Sequence, residues 1–240
     1  MNSAGFPHET IDSVLSDALS GDLPGQRAQF LMAPAHRRLD TGASVVDRPC
    51  REAAVLALFY PDAVERTADA RRLERDSESH ILLTIRPPGL SNHAGQVALP
   101  GGRREENETL EETALRETHE EVAIAAPRVR IVGRLSPLFV PPSAFCVYPF
   151  VGVMDEKPDM GVTSDEVARV FGAPLRDLTL PETRKTTVRE IRGRRMHIPY
   201  FDLDGQFVWG ATAMMLAELA ALLNPSWLRS DPLDGLPQPD

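Results

Sequence analysis

Residues His80 to Ile124 read HILLTIRPPGLSNHAGQVALPGGRREENETLEETALRETHEEVAI, a strand pattern, a glycine-rich turn and a glutamate-loaded helix in that order. From Thr109 to Ile124 there is no Gly or Pro, and Leu, Ala, Glu and Arg dominate, so the run predicts a helix. Asn107 and Thr109 are its cap candidates, acidic residues crowd its first turn, and Pro127 marks a stop beyond Ile124.

Glu117, Glu120 and Glu121 fall at helical neighbour spacing, which sets their carboxylates on one face. Like charges that close repel. Cations, arginine partners or solvent must screen them, and hard oxygen donors of this kind suit Mg²⁺ or Mn²⁺. Arg116 is adjacent in sequence and can orient a carboxylate through paired hydrogen bonds. A solvated acidic face is the plainer reading of the glutamates alone. The preceding Leu99-Pro100-Gly101-Gly102 favours a site, because two glycines let the backbone approach a phosphate or a metal closely.

Gly102, Glu108, Arg116, Glu117, Glu120 and Glu121 stand in the order and spacing of G-x5-E-x7-R-E-U-x-E-E-x-G-U, where U is a bulky aliphatic residue. That resembles the Nudix box. The chain departs from it at Thr118, where an aliphatic residue is usual, and at Ala123, where the second glycine would stand. Ala123 predicts a helix that runs on past the usual break.

Upstream, Leu82-Leu83-Thr84-Ile85-Arg86, then Gly95 and the Pro100-Gly101-Gly102 turn, resemble the signature LLTxR(S/A)x3Rx3Gx3FPGG of the Nudix subfamily of coenzyme A pyrophosphatases. Pro87, Ser91 and Leu99 depart from that signature. The YFDLDGQFVWGATA stretch also looks like the end of that group, and the resemblance spans Arg51 to Leu223. It implies substrate contacts from Arg86, His93, Gly95, Gln96 and Gly102, although Arg86 can equally close a salt bridge at a strand end and His93 can be a hydrogen-bonded loop histidine. It implies metal ligation by Glu117, Glu120 and Glu121 with the Gly101 carbonyl, and catalysis by Arg116 with these glutamates. A glutamate outside the box sometimes serves the family as ligand or base. Glu166 is the candidate by chain order, and a helix-start acid is its alternative reading.

Working outward, 240 residues at 42% hydrophobic content suffice for one full core with length left for extensions. A net charge of -9 argues against general nucleic-acid or anionic-membrane binding. Cys50 and Cys146 are far apart in sequence and make neither a secreted disulfide framework nor a zinc site. No long apolar run or leader pattern is visible, so a cytoplasmic setting is the default expectation.

Before the decisive stretch, Thr10 to Leu19 predicts an amphipathic helix with Ile11, Val14, Leu15 and Ala18 on one face, and His36, Arg37 and Arg38 read as a solvated basic loop. Arg51 to Tyr60 and His80 to Arg86 predict neighbouring strands joined by a charged insert. After it, Val129 to Leu135 and Cys146 to Met154 predict strands flanking a proline-rich loop. Asp165 to Phe171 is a short segment capped by Thr163 or Ser164. Met196 to Asp202 and Gln206 to Trp209 form a hairpin around Asp204-Gly205. Thr212 to Leu223 predicts a last helix whose Met and Leu stripe is core or homodimer contact, and the Pro, Ser and Asp content from Asn224 onward suggests a loose tail.

The expected architecture is a Nudix-type α/β/α sandwich with a mixed sheet: an N-terminal helical extension at 1-50, the domain at 51-223 and a tail at 224-240. The reaction the resemblance implies is metal-dependent hydrolysis of a small-molecule diphosphate, coenzyme A or an acyl derivative first. The alternatives are another nucleoside-diphosphate derivative such as ADP-ribose or a dinucleotide, or a non-catalytic binding role, and no nucleic-acid or membrane partner is expected.

Overall fold

The computed structural model describes residues 7–39, 49–62, 78–89, 94–191 and 193–236. Two predicted features fall outside them: His93 and Ser91 of the upstream loop, and nearly all of the charged insert.

The centre of the fold is β1 (Arg51–Pro61), flanked by β2 (Ser79–Ile85) antiparallel and β7 (Phe145–Val153) parallel. Around them the sheet runs β3 (Val97–Ala98), β2, β1, β7, β5 (Arg130–Arg134). Also, β4 (Gly101–Arg103) pairs with β1, β6 (Leu138–Val140) with β7 and β8 (Arg169–Pro174) with β2. One parallel pairing among antiparallel ones makes it the mixed sheet expected. The near-continuous apolar run of β1 is explained by burial on both faces. Ala53, Ala57 and Phe59 join one core while Ala54, Leu56, Leu58 and Tyr60 join the other.

Against the second face lies the box helix α3 (Leu110–Val122), through Ala114, Val122 and the following Ile124. Its start is a full capping box. Thr109 Oγ1 accepts from Glu112 N–H at 3.2 Å, and Thr109 N–H donates to Glu112 at 2.7 Å. Ala123 does not extend the helix. It closes it in the left-handed conformation at φ 61° and ψ 21°, taking the part a glycine usually plays. Thr118 is fully buried and satisfies its hydroxyl on the Ala114 carbonyl at 2.7 Å, so the polar group costs the core little.

The first face is covered by α1 (His8–Ser20), α2 (Gln26–Gln29), α4 (Gly210–Leu223) and a small sheet of β9 (Arg184–Ile191), β10 (Arg194–Leu203) and β11 (Gln206–Val208). Ile11 and Leu15 of α1 are buried as expected, but Val14 is 38% exposed and stands off the packed face. Met214, Met215, Leu216 and Leu219 of α4 are buried within this chain, and Leu222 and Leu223 pack half-buried against the same core, so the stripe is core. Among the described residues no helix is long and apolar enough to cross a membrane.

Several sequence expectations are corrected. The proline-rich loop contains β6, which docks on β7. No helix starts at Asp165; that segment turns and then enters β8, paired along β2. The basic cluster is tied down rather than solvated, since Arg37 bonds the Phe139 carbonyl and Arg38 bonds the carbonyls of Ala33 and Leu31 and the Asp231 carboxylate. The tail is packed further than its composition suggests, with Trp227 only 5% exposed. Cys50 and Cys146 form a disulfide across 96 residues, because the parallel β1–β7 register sets Glu52 beside Cys146 and leaves the two Cα atoms 5.7 Å apart. Glu218, fully buried in α4, accepts the Gly25 and Ser136 backbone N–H groups and the Gln29 amide, tying the N-terminal segment and the proline-rich loop to the last helix.

Candidate active site

The turn before the box helix is built by two glycines with different jobs. Gly101 sits at φ 147°, and a Cβ there would lie 2.3 Å from the Ala54 carbonyl oxygen, so only glycine lets β4 lie against β1. At Gly102 a Cβ would come within 2.5 Å of the Glu117 carboxylate. The missing side chain is the space that carboxylate occupies.

Arg116 organises the acidic face. Its Nε and Nη2 grip Glu108 at 3.0 and 2.9 Å, and Nη1 reaches Glu117 at 3.0 Å and Glu120 at 3.1 Å. Glu108 also accepts from Glu105 N–H at 2.7 Å and Thr113 Oγ1 at 2.9 Å. The Arg116 guanidinium and these bonds hold its carboxyl down at about 2. Glu121, only 6% exposed, accepts Gly101 N–H at 3.2 Å. Burial, with the nearby Glu117 charge, pushes its pKa up to about 7, and burial raises Glu117 as well.

The segment carrying Glu166 is stitched to this helix. Thr163 donates its Oγ1 to the Glu120 carbonyl at 2.7 Å and its N–H to the Glu121 carbonyl at 3.2 Å, filling acceptors that a helix end leaves open. Glu166 N–H rests on Ser164 Oγ at 3.1 Å, and its carboxylate accepts from Arg86 Nη2 at 3.2 Å. Glu166 thus stands near enough to Glu117 and Glu121 to raise both. Arg86 has its Nε buried with no hydrogen-bond partner among the described residues. The upstream loop closes on Arg86 through Gly95 N–H to the Arg86 carbonyl at 3.1 Å and Arg86 N–H to the Gln96 carbonyl at 3.0 Å.

Of the candidates from the sequence, Arg86, Gly101, Gly102, Arg116, Glu117, Glu120, Glu121 and Glu166 therefore come together. Gly95 and Gln96 border the group through the loop. Thr163, a cap candidate in the sequence, instead clamps the end of the box helix. Among the described residues no three His, Cys, Asp or Glu side chains draw together at metal-holding distance. Arg116 and Gly101 N–H occupy the carboxylates instead. The donor chemistry nonetheless fits a hard divalent cation: carboxylate oxygens along one helix edge, two of them raised above the ordinary range by burial.

Comparison with known proteins bears on this arrangement. The family described as NUDIX domain matches residues 65–192. "Nudix hydrolase 3" of Caenorhabditis elegans is 35% identical over 65% of this chain and 72% of its own. "Uncharacterized Nudix hydrolase NudL" of Yersinia enterocolitica is 40% identical over 61% of this chain and 75% of its own. A MutT/nudix family protein from Enterococcus faecalis overlays with a TM-score of 0.45 at 15% identity, covering 80% of this chain and 70% of that one.

Proposed function

The chain belongs to the Nudix hydrolase family, and on that premise we propose that it splits the diphosphate linkage of coenzyme A or an acyl-coenzyme A, giving 3',5'-ADP and a phosphopantetheine product. What carries the reading is Arg86. The signature residue directly follows β2 beside Glu166, lies within electrostatic reach of Glu121, and keeps a buried Nε without a partner among the described residues. A partly exposed guanidinium steadied by a carboxylate is suited to a phosphate oxygen.

In this reading Glu117, Glu120, Glu121 and the Gly101 carbonyl would hold Mg²⁺ or Mn²⁺. Once bound, such a cation neutralises the diphosphate and acidifies a water ligand. Arg116 keeps Glu117 and Glu120 oriented while Glu108 fixes Arg116 in turn. Gly102 leaves room for the Glu117 carboxylate. Arg86 orients the substrate phosphates, with Gly95 and Gln96 shaping the loop beside them and His93 in the same loop. Glu166 is a carboxylate within reach to accept the proton of the attacking water. The setting read from the sequence is cytoplasmic.

A second reading is hydrolysis of another nucleoside-diphosphate derivative, such as ADP-ribose or a dinucleotide. The departures at Ser91 and Leu99, where the signature has Arg and Phe, favour it. A substrate panel with Mg²⁺ and Mn²⁺ decides. Coenzyme A turned over above other diphosphates supports the first reading, and preference for a different diphosphate replaces it.

A further inference from the structure

The small sheet presents a row of aromatic rings on the face it turns away from the core. Along β10 and β11, Phe201, Leu203 and Val208 point inward and are fully buried. The opposite register holds Tyr200, Phe207 beside Asp202, and then Trp209 directly after β11. Tyr200 and Phe207 have ring centroids 4.3 Å apart, Phe207 and Trp209 6.3 Å apart, and all three are half-buried. The exposed Arg189 lays its guanidinium 3.9 Å from the Phe207 centroid. Sheet-borne aromatics flanked by cations are a general solution for stacking a base near a phosphate.

Two contacts tie the hairpin and the helix after it to strands that lead into the candidate active site. Just past Trp209, Thr212 donates to the Val97 carbonyl at 2.9 Å, and β3 continues through Leu99 and Pro100 to Gly101. From Ala98 to Gly101 is at most about 10 Å of extended chain. At the other end of the hairpin, Asp204 pairs with Arg169 at 3.7 Å, on the strand that follows the Glu166 segment.

We propose that the Tyr200–Phe207–Trp209 row is a stacking platform for the nucleobase of the diphosphate substrate. The inference rests on the hydrolytic reading for its substrate class, and it adds where the adenosine end is held. Its competitor is a structural role, in which the rings shelter Ile198, a buried residue sharing their register.

The test measures adenosine 5'-diphosphate binding by calorimetry without turnover, and KM for the preferred diphosphate, in wild type, Trp209→Ala, Trp209→Phe and Tyr200→Ala. The platform predicts that Trp209→Ala weakens adenosine diphosphate roughly tenfold or more. It predicts that the larger share of the kinetic loss falls on KM, that Trp209→Phe recovers most of it, and that inorganic pyrophosphate binding stays unchanged. Lowered melting temperatures with unchanged adenosine diphosphate affinity would show the sheltering role and overturn the proposal. So would Trp209-dependent capture of an oligoribonucleotide with adenosine diphosphate unaffected. Trp209-dependent nucleotide binding by a protein that cleaves no diphosphate would support the platform and defeat the hydrolytic reading instead.

Discussion

Arg116 holds Glu108 through a two-point fork, Nε at 3.0 Å and Nη2 at 2.9 Å, while its third nitrogen spans Glu117 and Glu120. One side chain thus links a residue of the turn to the acidic helix edge. Arg116→Lys keeps the charge but loses the fork, and turnover should fall roughly 10- to 100-fold, as when a supporting contact to a metal ligand is removed. Steady-state rates with the helical content checked by circular dichroism would show it; near-normal turnover would mean the edge orients itself.

The same pair sets an acid limit. Glu108 titrates at about 2 in the folded protein against an ordinary value of 4.5. Its folded pKa is depressed, so its contribution is complete above the ordinary value and drains away as pH falls through the interval down to about 2. Glu108→Gln should therefore flatten the acid unfolding curve of the folded protein across that interval, followed by near-ultraviolet circular dichroism.

Glu121 carries the opposite sign. Burial raises it from 4.5 to about 7, so in metal-free protein its stabilising contribution is full below the ordinary value and lost as pH rises through about 7. Chelation should depress the melting temperature most above neutrality, Mn²⁺ should restore it there, and Glu121→Gln should remove much of that pH dependence. Melting curves indifferent to both chelator and pH would contradict the assignment.

The two turn glycines should fail differently. The atoms nearest an alanine Cβ at Gly102 belong to the movable carboxylate of Glu117, so Gly102→Ala should cost turnover more than stability. At Gly101 the obstacle is the Ala54 backbone, so Gly101→Ala should unfold or strongly destabilise the chain. Paired thermal melts and rates separate the two.

The Cys50–Cys146 disulfide closes a long loop, and chain-entropy arguments put such a crosslink at roughly 2–5 kcal/mol. Cys50→Ser, or reduction, should lower the melting temperature by several degrees, whereas equal stability with and without reductant would mean the bond contributes little. The test matters because a cytoplasm keeps thiols reduced.

What could be read from the sequence was what is local. The box helix, its cap and the Asp204-Gly205 hairpin announce themselves through spacing and turn chemistry within a dozen or so residues, and the acidic face follows from helical periodicity. What escaped was set at a distance. Ala123 takes a left-handed conformation that nothing in its own chemistry favours. The β9 strand RKTTVREI is too polar to read as sheet without β10 beside it. Cys50 meets Cys146 only through the parallel register of β1 and β7, and Glu218 looks like a surface acid until the three donors around it are known. Glu166 could be ordered along the chain, but its place beside Arg86 needed Thr163 clamped to the helix end.

The most direct test is hydrolysis of coenzyme A with Mg²⁺ or Mn²⁺ by wild type, Glu120→Gln and Glu121→Gln. Wild type should release 3',5'-ADP, and both variants should lose at least about 100-fold in rate while staying folded. Full activity in both variants, or intact diphosphates with wild type under either metal, would contradict the account.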